Sequence, residues 1–297
     1  MKIDNTRMAR LIDLSKNKSH DPYERFEWPS SIEEDTLWCN EELLTTHGTE
    51  FHEILSSEQV RALSKWESVN FFSLNVHGIR GVLEFSSRCI YEEKYKDISE
   101  YLHVFIGEEN FHMWFFAKAC LDYAGKIYPN LKFDAGRNDA PHPHNDLYMF
   151  ASTLIFEEFV DFYNHRVGVN NEIVPILKEI NYQHHVDESR HVSFGRDVVR
   201  RLYEEAIAES PDAEAARSEI SGKVINLFKY FTSLMYNPLA YRDADIYRPL
   251  GFSSGSAMRN ALRNHPSRAA AHETWFKRSA DFFCKAQMVD RIDFQTL

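Results

Sequence analysis

The stretches Glu108-Glu109-Asn110-Phe111-His112 and Gln183-His184-His185-Val186-Asp187-Glu188-Ser189-Arg190-His191 decide how this chain is read. Each holds a Glu with a His three residues later, and the second adds a His four residues before its Glu. On an α-helix, offsets of three and four bring side chains onto one face. Glu109 and His112 then lie about 60° apart, as do Glu188 and His191. His184 and His191 differ by about 20°, so His184, Glu188 and His191 form one column. Two Glu-x-x-His turns, with a lone Glu from each of two further helices, are the means by which a four-helix bundle holds two metal ions.

The rest of the chain supplies such a bundle. Ser56 and Gln59 have the spacing of a capping box, and the helix they open runs to about residue 91. A second helix begins at Asp97, with Glu100 as reciprocal capping partner, and runs to about 123. The short turn between them makes the two antiparallel neighbours. A third helix covers about 146–166, with Gly168 as its stop, and a fourth covers about 171–207, with Pro175 tolerated in its first turn. Ser210 caps a fifth, with Pro211 at its first position, which lasts until Asn237-Pro238 breaks it near 236. Two more helices, about 254–264 and 266–286, follow. A short helix over 5–16 leads into an irregular N-terminal segment that wraps the bundle. Residues 125–145, punctuated by Pro141, His142, Pro143 and His144, read as a surface loop and not as a second metal tract. The expected fold is all-α. It is a single domain over 1–297, with the bundle core at about 56–207 and extra C-terminal helices at about 211–286.

The missing carboxylates follow from mirror positions. With the first turn centred near 96–97, the mirror of Glu109 is residue 84, which is Glu84, flanked by Leu83 and Phe85. With the second turn near 171–173, the mirror of Glu188 falls at 154–158, where Glu157 and Glu158 both stand. Glu157, 31 residues before Glu188, is preferred, because Glu158 points about 100° away. Two divalent ions then face Glu84, Glu109, Glu157 and Glu188 in a neutral cluster, with His112, His184 and His191 as neutral ligands suited to iron. Buried ionised Glu is otherwise very costly. Around this set, Asp187 is expected to reach the free ring nitrogen of His112, and Glu108 that of His191 or His184, with Arg190 neutralising one of these carboxylates. Phe105, Phe116, Phe156 and Phe159 are candidate walls of a substrate pocket, and read equally as bundle core. Arg80 could pair with a substrate carboxylate, and reads more simply as a surface residue.

Composition agrees with this picture. Only 11 Gly and 10 Pro in 297 residues favour long helices over a many-turned β fold. The net charge of −11 argues against a nucleic-acid or anionic-membrane surface. Cys39, Cys89, Cys120 and Cys284 lack CxxC spacing and read as separate reduced thiols. No apolar leader or membrane-length run is present, so the expected compartment is the cytoplasm.

At this point the residues resemble the p-aminobenzoate N-oxygenase family, within the ferritin-like diiron superfamily. The distinguishing mark is H-x-x-x-E-x-x-H, here His184, Glu188 and His191, followed by the helical text Val192–Tyr203. The resemblance covers roughly 60–235. The family's Glu-x-x-His maps onto Glu109 and His112, and its lone ligands onto Glu84 and Glu157. It implies a ferritin-like bundle holding two iron ions, manganese being the alternative. It also implies oxidation of a small-molecule amine with O2 to hydroxylamine, nitroso or nitro products, in a secondary-metabolite pathway. Electrons would come from an external reductase, since the chain has no flavin or NAD fingerprint. Neither nucleic acid nor membrane is expected as a partner, and a homodimer is compatible with the sequence. Competing readings are a diiron hydroxylase or oxidase acting at carbon, a non-catalytic metal-binding bundle, and a ribonucleotide reductase radical subunit. The second has no need of His184, and the third needs a Tyr beside the cluster.

Overall fold

The computed structural model describes residues 5–18, 21–130 and 142–297. They form ten α-helices: α1 (Asn5–Asn17), α2 (Glu50–Glu53), α3 (Ser57–Cys89), α4 (Ser99–Ala124), α5 (Asn145–Val169), α6 (Pro175–Glu209), α7 (Ala213–Leu234), α8 (Pro238–Asp243), α9 (Gly255–Arg263) and α10 (Arg268–Lys285). Among the described residues the sole β-type pairing is an isolated parallel bridge between Leu37 and Ile173. The chain is all-α, consistent with a ferritin-like bundle.

The bundle is two antiparallel hairpins, α3 with α4 and α5 with α6, and the α5–α6 pair is the most extensively packed. Helix α10 closes over α5, and α1 lies across α4 and α6. Ring pairs tie these layers together. Phe71 of α3 stacks on Tyr163 of α5, Phe72 on Phe116 of α4, and Phe159 of α5 on Phe276 of α10. Such pairs are worth about 0.5–1.5 kcal/mol beyond the area they bury. The N-terminal segment does wrap the bundle: the Val174 N–H donates to Leu37 O, and the Trp38 N–H to Ser64 Oγ. Among the described residues, no helix is long and apolar enough to cross a membrane.

Several boundaries differ from the sequence reading, each for a local reason. The Ser56–Gln59 capping box opens α3 as expected. Helix α4 starts at Ser99 instead of Asp97, because the Asp97 carboxylate is taken by Arg201 Nη1 at 2.8 and 3.0 Å. Helix α7 is capped by Asp212 and not Ser210: its carboxylate accepts the N–H groups of Glu214 and Ala215. The short helices α2 and α8 were not anticipated. In the 125–145 loop, residues 131–141 lie outside the described residues, while His142 pairs with Glu219 at 2.7 Å.

Gly168 is not a stop, since α5 continues to Val169. Its role is close approach: a Cβ there would lie 2.7 Å from Tyr182 Cα on α6. Replacing Gly168 with Ala must push the two backbones apart. We expect a loss of about 1–3 kcal/mol, read as a lowered Tm. Gly222, in the exposed middle of α7 with nothing within 4 Å of a Cβ, should instead gain about 0.4–1 kcal/mol as Ala. Equal effects at the two positions would refute the close-approach account.

Candidate metal centre

Three helices deliver the site. Helix α4 contributes Glu109 and His112, α5 contributes Glu157, and α6 contributes His184, Glu188 and His191; all six are buried. One ligand atom each from Glu109, His112, Glu188 and His191 fall within 4.8 Å of one another. His112 Nδ1 lies 3.2 Å from Glu109 Oε1 and 3.4 Å from Glu188 Oε1. His191 Nδ1 lies 2.8 Å from Glu109 Oε1 and 3.2 Å from Glu188 Oε2. His184 Nε2 approaches Glu188 Oε1 at 3.0 Å, and the Glu157 carboxyl lies beside the Glu188 carboxylate. Glu188 is therefore the hub, with Glu109 beside it.

Several of these short approaches are not hydrogen bonds. Glu109 Oε2, both Glu188 oxygens, His184 Nε2 and His191 Nδ1 have no hydrogen-bond partner despite complete burial. An unpaired buried polar atom normally costs about 1–3 kcal/mol. Five such atoms converging on one small volume, all of them lone-pair donors, fit a cation between them. The electrostatics ask for the same thing. Burial, then the Glu188 and Glu109 carboxylates, push Glu157 well above the usual carboxylate range. Burial alone would depress His112 and His191, yet Glu109 and Glu188 respectively, with their other carboxylate neighbours, hold both well above an ordinary His. His184 goes the other way: burial and then His112 keep it a neutral imidazole.

Each imidazole is oriented from behind. His112 Nε2–H donates to Asp187 Oδ2 at 3.3 Å, and His191 Nε2–H donates to Glu108 Oε2 at 2.8 Å, leaving both Nδ1 lone pairs for the centre. Arg190 ties the two outer carboxylates together, with Nη2 at 2.6 Å from Glu108 and 2.8 Å from Asp187. Its Nε donates to Ser15 Oγ on α1. His184 faces the centre through Nε2, so its Nδ1 carries the proton and needs an acceptor. The Asn164 amide touches that nitrogen, and its Oδ1 has no other partner. Turned so that the oxygen faces the ring, the amide accepts the Nδ1–H. Asn164 was missed in the sequence, although it stands seven residues after Glu157, the same two-turn step that links His184 to His191.

Glu84, expected as a ligand, does not join this group. It is exposed, on the outer side of α3. The inward face there carries Ile79, Val82, Phe85 and Ser86 instead. Glu158 is buried and paired with Arg196 at 2.6 Å. Arg80 is exposed and lies against His77 Nδ1. A narrow cavity of about 10 Å³ adjoins Glu157 and His191, walled by Ser86, Phe105, Phe150, Thr153 and Phe194. Of the four Phe proposed as pocket walls only Phe105 lines it. Phe116 and Phe159 are stacked in the core, and Phe156 covers Gly78.

If these outer residues set the imidazoles, Asp187→Asn and Asn164→Ala should each weaken metal binding about 10–100-fold, measured by chelator competition, while Asn164→Asp keeps an acceptor and most of the affinity. Unchanged affinity in Asn164→Ala would show that His184 needs no such support.

Comparison with known proteins agrees with the constellation. The family model described as P-aminobenzoate N-oxygenase AurF matches residues 3–286, well beyond the 60–235 over which the sequence reading saw a resemblance. No curated individual protein matches the chain. With nearly the whole chain matched, this protein belongs to the P-aminobenzoate N-oxygenase AurF family.

Proposed function

We propose that the protein is an O2-dependent diiron oxygenase that oxidises the nitrogen of a small-molecule amine. The observation that carries this reading is the convergence of unpaired Glu109, His184, Glu188 and His191 atoms in a fully buried pocket, in a chain whose family is that of an N-oxygenase. Glu109, His112, Glu157, His184, Glu188 and His191 would hold the metals. Two iron ions bound there would supply the binding and reduction of O2.

The chain's own residues do the rest. Asp187 and Glu108 keep protons on the outer nitrogens of His112 and His191, so that the inner nitrogens stay free to ligate. Arg190 fixes both carboxylates. Phe105, Phe150 and Phe194 keep water from the inner end of the cavity, and the Thr153 and Ser86 hydroxyls are the polar groups available to an amine or hydroxylamine there. The cavity has room for about one water, so an aryl or alkyl amine enters by displacing its ring walls. The electrons come from a separate donor, and the substrate is a small amine of apolar body. We place its site of action in the cytoplasm, where Cys39, Cys89, Cys120 and Cys284 remain free thiols.

The test is anaerobic loading with Fe(II), metal analysis, reduction, and exposure to ¹⁸O2 with a panel of aryl and alkyl amines. We expect about two iron ions per chain and label on nitrogen. Label on carbon would replace this reading with the hydroxylase one. Iron uptake without any oxidised product from any amine would point to a binding protein. Loading should also raise Tm, because an ion bound only by the folded state adds about 4 kcal/mol at a thousandfold excess over Kd.

A further inference from the structure

The two halves of the centre are related by the repeat of the bundle, and that repeat is broken at two places: His184, four residues before Glu188, has Phe105 as its counterpart before Glu109, and the lone carboxylate of the first hairpin is missing. Glu188 and His191 on α6 have their lone carboxylate, Glu157, 31 residues earlier on α5. The same offset before Glu109 reaches Gly78 on α3, where the Phe156 ring fills the space, 3.1 Å from a Cβ placed there. Register leads to the same stretch. Ser86 and Phe105 face each other across the cavity, so Val82 and Ile79 run alongside Glu109 and His112. Ile79 and Val82 are 2% and 8% exposed and purely apolar. Glu84 is two residues past Val82, about 200° around the helix, and faces solvent. In the stretch from Asn75 to Ser86 the buried polar groups are neutral: Ser86 at the cavity and Asn75, whose amide nitrogen donates to Phe71 O and whose Oδ1 has no partner. The buried carboxylate of α3, Glu67, lies two turns before Asn75 and is taken by the N–H and hydroxyl of Thr45.

We infer that α3 supplies no ligand. The centre is a six-residue site built by three helices, and the half around His112 lacks the terminal carboxylate that Glu157 gives the other half. The inference rests on the dimetal reading above. Charge supports it. Two divalent ions against Glu109, Glu157 and Glu188 leave one positive charge. Glu108, Asp187 and Arg190, all held in direct contact with the site, return one negative charge. A fourth inner carboxylate would leave the buried assembly anionic. The His184 ring lies 4.2 Å from that of His112, so this half has two neutral imidazoles where the other has the Glu157 carboxylate and one imidazole, which makes its ion the more weakly held of the two.

The test is anaerobic titration of the metal-free full chain with Mn(II) and then Fe(II), followed by calorimetry and, for Mn(II), by electron paramagnetic resonance. The expected result is two steps, the second at least about tenfold weaker, since loss of an inner ligand costs no less than loss of an outer one. Glu84→Gln should leave both steps unchanged, and Ile79→Glu should tighten the second about tenfold. Two equally tight steps, or loss of a step in Glu84→Gln or Asn75→Leu, would show that α3 does ligate, and would overturn the inference while leaving the dimetal reading intact. A wild-type chain that takes up no metal overturns both. Glu84 is exposed, so its variant remains decisive even where Ile79→Glu does not fold.

Discussion

Three carboxylates buried within contact of one another cannot all be charged unless positive charge sits among them. Everything near the centre follows from that constraint. At short range in a medium of low dielectric, carboxylate repulsion amounts to several kcal/mol, more than any single packing contact in the bundle returns. The chain answers with three imidazoles on the same surfaces and with Arg190 directly behind. The long straight runs of α4, α5 and α6 hold these groups at fixed heights. A loop-borne site would spread them apart rather than hold them together against their repulsion.

The outer layer is as ordered as the inner one. His112 and His191 are each backed by an anion, whereas His184 is backed by the neutral Asn164 amide. An anionic partner makes an imidazole a stronger electron donor, and a neutral one leaves it weaker. All three rings are buried, so His184 is the least basic by its neutral partner and by the neighbouring His112.

Much of this was legible in the sequence because helix period is rigid. Once Glu109 and His112, or His184, Glu188 and His191, are on helices, their shared face is settled by spacing alone. The same arithmetic within one hairpin set Glu157 opposite Glu188, and the structure brings the two carboxyls together. Glu84 stands apart from the group, on the exposed side of α3, because a mirror argument fixes height and leaves rotation free. An error of one residue turns a side chain through about 100°, and the apolar neighbours Leu83 and Phe85 gave a false sense of burial. Phe85 is in fact the inward residue, which necessarily turns Glu84 away. The capping box of α3 was readable from Ser56 and Gln59, but the start of α4 was not, because the competitor for Asp97 is Arg201, 104 residues away. Gly168 looked like punctuation for a similar reason: the contact that requires it belongs to another helix.

The bond from Arg190 Nε to Ser15 gives α1 a part in the centre's chemistry. Arg7, also on α1, pairs with Asp197 and Ser193 on α6, so the first helix is bolted to the ligand-bearing helix at two levels. Linkage is reciprocal. To the extent that a docked α1 holds Arg190 against Glu108 and Asp187 and so favours the loaded centre, a loaded centre favours docking of α1 by the same free energy. Helix α1 is in that sense a reporter of whether the core, reached through a bond that spans 175 residues of chain, has been charged.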